Sequence, residues 1–304
     1  MGQKTVHAIL CNIRVKEALE LLRSAARTDS DHGNPGMNGE SAWIAISRLE
    51  AQRGNRDAAE QALAEGRRAL EVFANRTRMA AHVREFFVAR LLDAERQIKL
   101  AFDENEVVFK LAGEASEASE WKGAVNEADN PNYSASLVVR RRQALSQASL
   151  AALKLGRFAD AEAHARSLLS LPVPHSTWSE PMLLMQPDDL GWARVLLAQS
   201  QVAQANTAEA LRTLEPPIAL YRKMQTAGVS HLTFRQRFAR ALYVQALAQP
   251  ADPGGIAQRR SSLAEAAKLL NELSDEAREL HDTKELLSWI GAAREKPVQE
   301  VKQP

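Results

Sequence analysis

Residues Arg142–Pro172 read RQALSQASLAALKLGRFADAEAHARSLLSLP. Leu145, Ala148, Ala152 and Leu155 recur at spacings of three and four, which places them on one stripe of an α-helix. Gly156 ends that helix, since glycine takes the left-handed position after a helix without a Cβ clash. Phe158, Ala161, Ala165, Leu168 and Leu169 then stripe a second helix, which Pro172 closes. Two amphipathic helices on so short a turn fold back antiparallel and share their apolar faces. One such hairpin leaves a face bare on either side and asks for neighbours.

Outward from this stretch, the pattern recurs. Trp43, Ile46, Ser47, Gly54 and Ala59 form one further copy, with Arg56 at the place Phe158 holds. Leu197, Ala198, Ala205 and Ala210 form another, with Ala205 in place of glycine and Thr207 in place of the aromatic. The order of glycine, aromatic and small residue in Gly156, Phe158 and Ala161 resembles the tetratricopeptide repeat, a 34-residue helix-turn-helix unit. Ala59 and Ala161 lie 102 residues apart, three such periods, and Ala210 lies 49 further on, one period plus a proline-marked insertion.

The resemblance implies an all-α, right-handed α-solenoid of about five tetratricopeptide-like hairpins, with an extra N-terminal helix and a C-terminal capping helix. Residues 1–294 form one such unit, with 121–133 as the candidate subdivision and 295–304 as a polar tail. The first helices of such a fold line a concave groove, and the repeat register puts Arg48, Ser146, Trp192 and Gln199 there, with a core tryptophan as the competing and favoured reading of Trp192. The family's peptide-carboxylate clamp is not carried over, because Ser41, Ile44 and Val195 stand among its positions. Residues 190–224 and 234–255 also resemble C-terminal helical-repeat regions of bacterial signalling proteins, Ser/Thr kinases and regulators among them.

Composition bounds the rest. The chain has 304 residues, 39 Lys and Arg against 38 Asp and Glu, and a formal charge of +1. Near neutrality gives no electrostatic argument for nucleic acid. No apolar run approaches the ~18 residues of a membrane span, and residues 1–17 lack the pattern of a signal peptide. Cys11 is the only cysteine, which excludes an internal disulfide or a cysteine metal cluster. The seven histidines, His82 and His164 among them, show no metal-ligand spacing, and there is no phosphate-binding loop. The expectation is a cytoplasmic, non-catalytic scaffold or adaptor for a protein or peptide, with no cofactor, metal or catalytic residue, acting as a regulatory or sensor module. The alternative is a helical enzyme or small-ligand sensor with its site under the 172–186 loop.

Several local readings complete the set. Asp103 with Glu106 and Asn206 with Glu209 predict side-chain caps at helix starts. Pro216-Pro217 predicts a break or kink. Arg140-Arg141-Arg142 reads as a solvated helix start that pairs with nearby acids, with an anion or phosphopeptide contact as the alternative. Arg235, Arg237 and Arg240 are expected outside, with Phe234 and Phe238 facing the core.

Overall fold

The computed structural model describes residues 15–31, 37–79, 81–118, 131–171 and 186–295. Among the described residues there are thirteen helices and no strand. In chain order they are α1 (Val15–Asp31), α2 (Met37–Gln52), α3 (Arg56–Thr77), α4 (Ala81–Ala101), α5 (Asn105–Ala118), α6 (Pro131–Lys154) and α7 (Phe158–Ser170). There follow α8 (Gln186–Ala203), α9 (Thr207–Thr226), α10 (Leu232–Ala248), α11 (Pro253–Asn271), α12 (Asp275–Arg278) and α13 (His281–Glu295). None is long and apolar enough to cross a membrane.

Helices α2 to α11 form five consecutive pairs, α2/α3 through α10/α11. Each second helix also packs on the first helix of the next pair, and each first helix touches the next first helix. Four of the pairs turn in the same way. Gly54, Asp103, Gly156 and Ala205 all have left-handed backbone, with φ of 80°, 57°, 72° and 64°. After each, the next N–H reaches back five residues: Asn55 to the Glu50 carbonyl at 2.9 Å, Glu104 to Lys99 at 3.0 Å, Arg157 to Ala152 at 2.8 Å and Asn206 to Gln201 at 2.8 Å. This bond satisfies a carbonyl that the helix end would otherwise orphan. Ala205, the expected stand-in for glycine, thus occupies glycine's conformation.

The second helix begins identically in all four. Ala59, Val108, Ala161 and Ala210 donate their N–H to the residue just past the left-handed position, and each is 0% exposed. These four equivalent positions are 49, 53 and 49 residues apart. The 102 residues between Ala59 and Ala161 therefore span two units of about 50, not three of 34. The unit is lengthened by its helices, which run to 24 residues in α6.

Other local expectations are corrected. Asp103 does not cap α5: it takes the left-handed turn position, which its short polar side chain tolerates, and its carboxylate turns to Lys154. Asn206 precedes α9 but makes no side-chain cap. Helix α9 runs unbroken through Pro216 and Pro217, and Pro217 lies on its buried side. The loop expected at 121–133 gives up Pro131–Tyr133 to α6; residues 119–130 and 172–185 lie outside the described residues, as do 1–14 with Cys11 and the 296–304 tail.

The largest core cluster lies in the last two pairs, around Tyr221, Phe234, Phe238 and Leu242, each at most 1% exposed. Tyr221, Phe234 and Phe238 meet with ring centroids 5.7–6.0 Å apart, a spacing that favours edge or offset contact. Helix α8 comes close to this cluster at Gly191, where a Cβ would stand 3.3 Å from the Tyr221 hydroxyl. Helix α11 starts from Asp252, whose carboxylate accepts the Gly255 N–H at 2.7 Å, with Pro253 in its first turn.

The two ends of the described chain meet. Val15, Ala18, Leu19 and Leu22 of α1 share one apolar cluster with Ala277 and Leu280. The Lys16 N–H donates to the Glu276 carboxylate at 3.2 Å. Gln52 at the end of α2 donates to Asp282 Oδ2 at 3.0 Å and accepts the Asp282 N–H at 3.1 Å.

Candidate functional site

The first helices of successive pairs are joined by a continuous line of polar and aromatic contacts. It begins at Asp93 of α4, a carboxylate 1% exposed on a different side of the helix from the apolar stripe of Leu91, Ala94 and Ile98. Its Oδ2 accepts from Arg48 of α2 at 2.6 Å and from Gln97 at 3.0 Å. Its Oδ1 accepts from Gln147 of α6 at 2.6 Å, and the Gln147 carbonyl accepts from Arg96 Nε at 2.5 Å. Burial lowers the Arg96 pKa from its ordinary value, and Asp93 and Glu95 oppose that push. A buried guanidinium keeps its charge, so Asp93 is the group that makes its burial tolerable.

The line continues from α6 to α8 and α10. The Trp192 indole N–H donates to Ser146 Oγ at 3.0 Å. Arg237 and Arg240 both lie over the Trp192 ring, at 5.4 and 5.5 Å from its centroid, within cation–π range. Arg240 Nε donates to Gln199 Oε1 at 2.9 Å. The same guanidinium stands 5.2 Å from Trp289 of α13, which stacks on Tyr243 at 6.0 Å. Arg237 also reaches Asp189 at 3.5 Å.

All four residues expected on the groove fall on this line: Arg48, Ser146, Trp192 and Gln199. Each bonds across to a neighbouring first helix. Arg48 keeps 36% of its side chain exposed, Ser146 and Trp192 are half-buried, and Gln199 is 9% exposed. All four are cross-links between helices, and Arg48, Ser146 and Trp192 also keep part of their side chains at the surface. Trp192 packs against two core clusters, so it is neither a free anchor nor a pure core residue.

The arginines expected in solvent are not there. Arg142 is 6% exposed, and burial lowers its pKa against the opposing charge of Asp189; Arg140 and Arg141 are half-buried. Helix α6 has neighbours in α4, α5, α7 and α8, so few of its directions face water. Arg235, Arg237 and Arg240 are half-buried, while Phe234 and Phe238 do enter the core. His164 lies edge-on to Phe109 at 5.6 Å, and burial lowers its pKa against the pull of Asp160.

A second constellation lies where α13 crosses the turn ends of the first helices. Lys154 Nζ, on a side chain 14% exposed, bonds Asp103 Oδ1 at 3.1 Å and Glu285 Oε1 at 3.0 Å. Asp103, His281 and Glu285 bring ligand atoms within 4.8 Å of one another, a metal-compatible spacing. The Lys154 ammonium already bridges the two carboxylates, so the cationic place is taken. Asp93, Gln147 and Lys154 were not singled out from sequence. Asp93 lies off the apolar stripe of α4, so the 3.6-residue periodicity gives no signal for its burial.

Against known proteins, no family model and no curated protein matches the chain.

Proposed function

We propose that this chain is a non-catalytic helical-repeat module of the tetratricopeptide type, a right-handed solenoid of five hairpins that binds a protein or peptide along its first-helix layer. The observation that carries the reading is that layer: α2, α4, α6, α8 and α10 touch in succession. Arg48, Ser146, Trp192 and Gln199 bond across that layer, and in this reading Arg48, Ser146 and Trp192 contribute its exposed face. Half-buried Trp and Arg at the centre of a surface are the residues that anchor protein interfaces. Stacked helices offer such extended surfaces without reactive side chains. In this reading the protein works in the cytoplasm as a regulatory module acting in trans on a signalling partner.

Affinity purification of the full chain from its native host, beside a metabolite panel scored for turnover and thermal shift, tests this. A stoichiometric protein partner with no turnover is the expected result. Turnover of any panel member with no protein retained would replace this reading with a helical enzyme.

A further inference from the structure

Helix α13 presents two different faces. Leu286, Ile290 and Ala293 join the core cluster of the last two pairs, and Arg259 Nη2 donates to the Ala293 carbonyl at 2.9 Å. The other flank reaches residues far away in the chain. Gln52 takes both the N–H and the carboxylate of Asp282, Lys154 takes Glu285 one turn on, and Tyr243 and Arg240 take Trp289 a turn beyond that. Gln236 adds a bond to Thr283 at 2.9 Å. Three first helices, α2, α6 and α10, thus read one short helix. They read an aspartate at its start, a second carboxylate, a large ring and an apolar stripe.

The charges are complementary. Lys154 and Arg240 belong to the layer, Asp282 and Glu285 belong to α13, and the Lys154 ammonium bridges Glu285 and Asp103; burial lowers the Arg240 pKa, and Glu285 and Asp282 oppose that push. Lys154 also stands at the C-terminal end of α6, where the helix favours a cation. We propose that this inner surface is a recognition site for an acidic amphipathic helix of the pattern Asp-x2-Glu-x3-Trp, and that α13 is its resident occupant, exchangeable for a partner helix of the same chemistry. The inference rests on the binding-module reading and names the class of partner. A tethered occupant competes at high effective concentration, so a partner helix enters well only when the tethered one is weakened.

The probe is a fluorescein-labelled synthetic peptide with the sequence of residues 279–295, ELHDTKELLSWIGAARE, titrated against the full chain. Wild type is expected to bind it weakly. The full-chain Glu285→Lys variant, whose own helix is repelled by Lys154, is expected to bind it at least tenfold more tightly. It should reject the same peptide carrying Glu285→Lys. The double variant Lys154→Glu, Glu285→Lys restores the internal pair and should return to weak binding. Asp282→Ala, which loosens the contact to Gln52, is a second route to the same gain. Circular dichroism and melting establish that each variant is folded. A folded variant that binds no more tightly than wild type, or that takes both peptides equally, overturns the proposal. Unfolding of both single variants overturns it too, because an exchangeable occupant leaves a folded receptor behind. A native partner held through Trp192 while no variant takes this peptide would remove this inference and leave the binding module standing.

Discussion

Exchanging glycine and alanine between two equivalent turns tests the repeat at its joints. Ala205 sits at φ 64° and is exposed, so its methyl group is strained and buries little. An L-residue in the left-handed region costs ~1–2 kcal/mol. Replacing it by glycine relieves that strain, while the greater freedom of glycine in the unfolded chain takes back ~0.4–1 kcal/mol. Ala205→Gly is therefore expected to stabilise the protein by ~0.5–1 kcal/mol. Gly156 has φ 72°, and a Cβ built there meets nothing within 4 Å, so the reverse change acts through the backbone alone. Gly156→Ala should destabilise by a similar ~0.5–1 kcal/mol, and Gly156→Val by more, because a β-branched side chain is still less at home there. Asp103→Gly should gain nothing, since it also removes a partner of Lys154. Urea denaturation at unchanged m-value reads each difference as a midpoint shift. A destabilised Ala205→Gly, or a neutral Gly156→Ala, would refute the equivalence of the turns.

Asp93→Ala strands Arg48, Arg96 and Gln147 and should cost ~3–5 kcal/mol in the same assay; a loss below ~1 kcal/mol would show the network to be dispensable. His164 titrates below its usual 6.5 in the folded state, so as pH falls the unfolded chain takes the proton first. Its contribution is complete above pH 6.5 and is lost as pH falls further; His164→Phe should flatten that part of the stability–pH curve, and an unchanged curve would contradict it. Burial pushes the Tyr243 phenol up to about 12 against Arg240 and Arg259, so the unfolded chain ionises first. Between about pH 10 and 12 stability should fall, and Tyr243→Phe should remove that part of the fall, followed by thermal melts.

The joints were legible because they are local. Gly156 and Ala205 each sit at the end of an apolar stripe, where a left-handed residue is a common way to end a helix and depends on the local chain alone. Asp103 was misread for the same local reason: Asp followed three later by Glu is also a capping pattern, and only the turn's neighbours decide between the two. The length of the unit was not legible. The middle joint carries Asp103 and Val108 in place of the small signature residues, and without it two long units pass for three short ones. Contacts between pairs leave no periodic trace, so the burial of Arg142 and the bond from Gln199 to Arg240 are visible only once α6, α8 and α10 lie side by side. The meeting of α1 with α12, and of Gln52 with Asp282, joins residues more than two hundred apart, beyond any spacing argument.

The most direct test of the binding module is Trp192→Ala, followed by partner affinity and urea stability on the same preparation, with Arg212→Ala on the exposed side of α9 as control. Trp192 is half-buried and its indole N–H is bonded to Ser146, so truncation should cost less than the ~3–5 kcal/mol of a fully buried tryptophan. Affinity for the purified partner should fall at least tenfold, as loss of an interface anchor does, while Arg212→Ala leaves it unchanged. A folded Trp192→Ala protein that holds its partner as tightly as wild type would contradict the account.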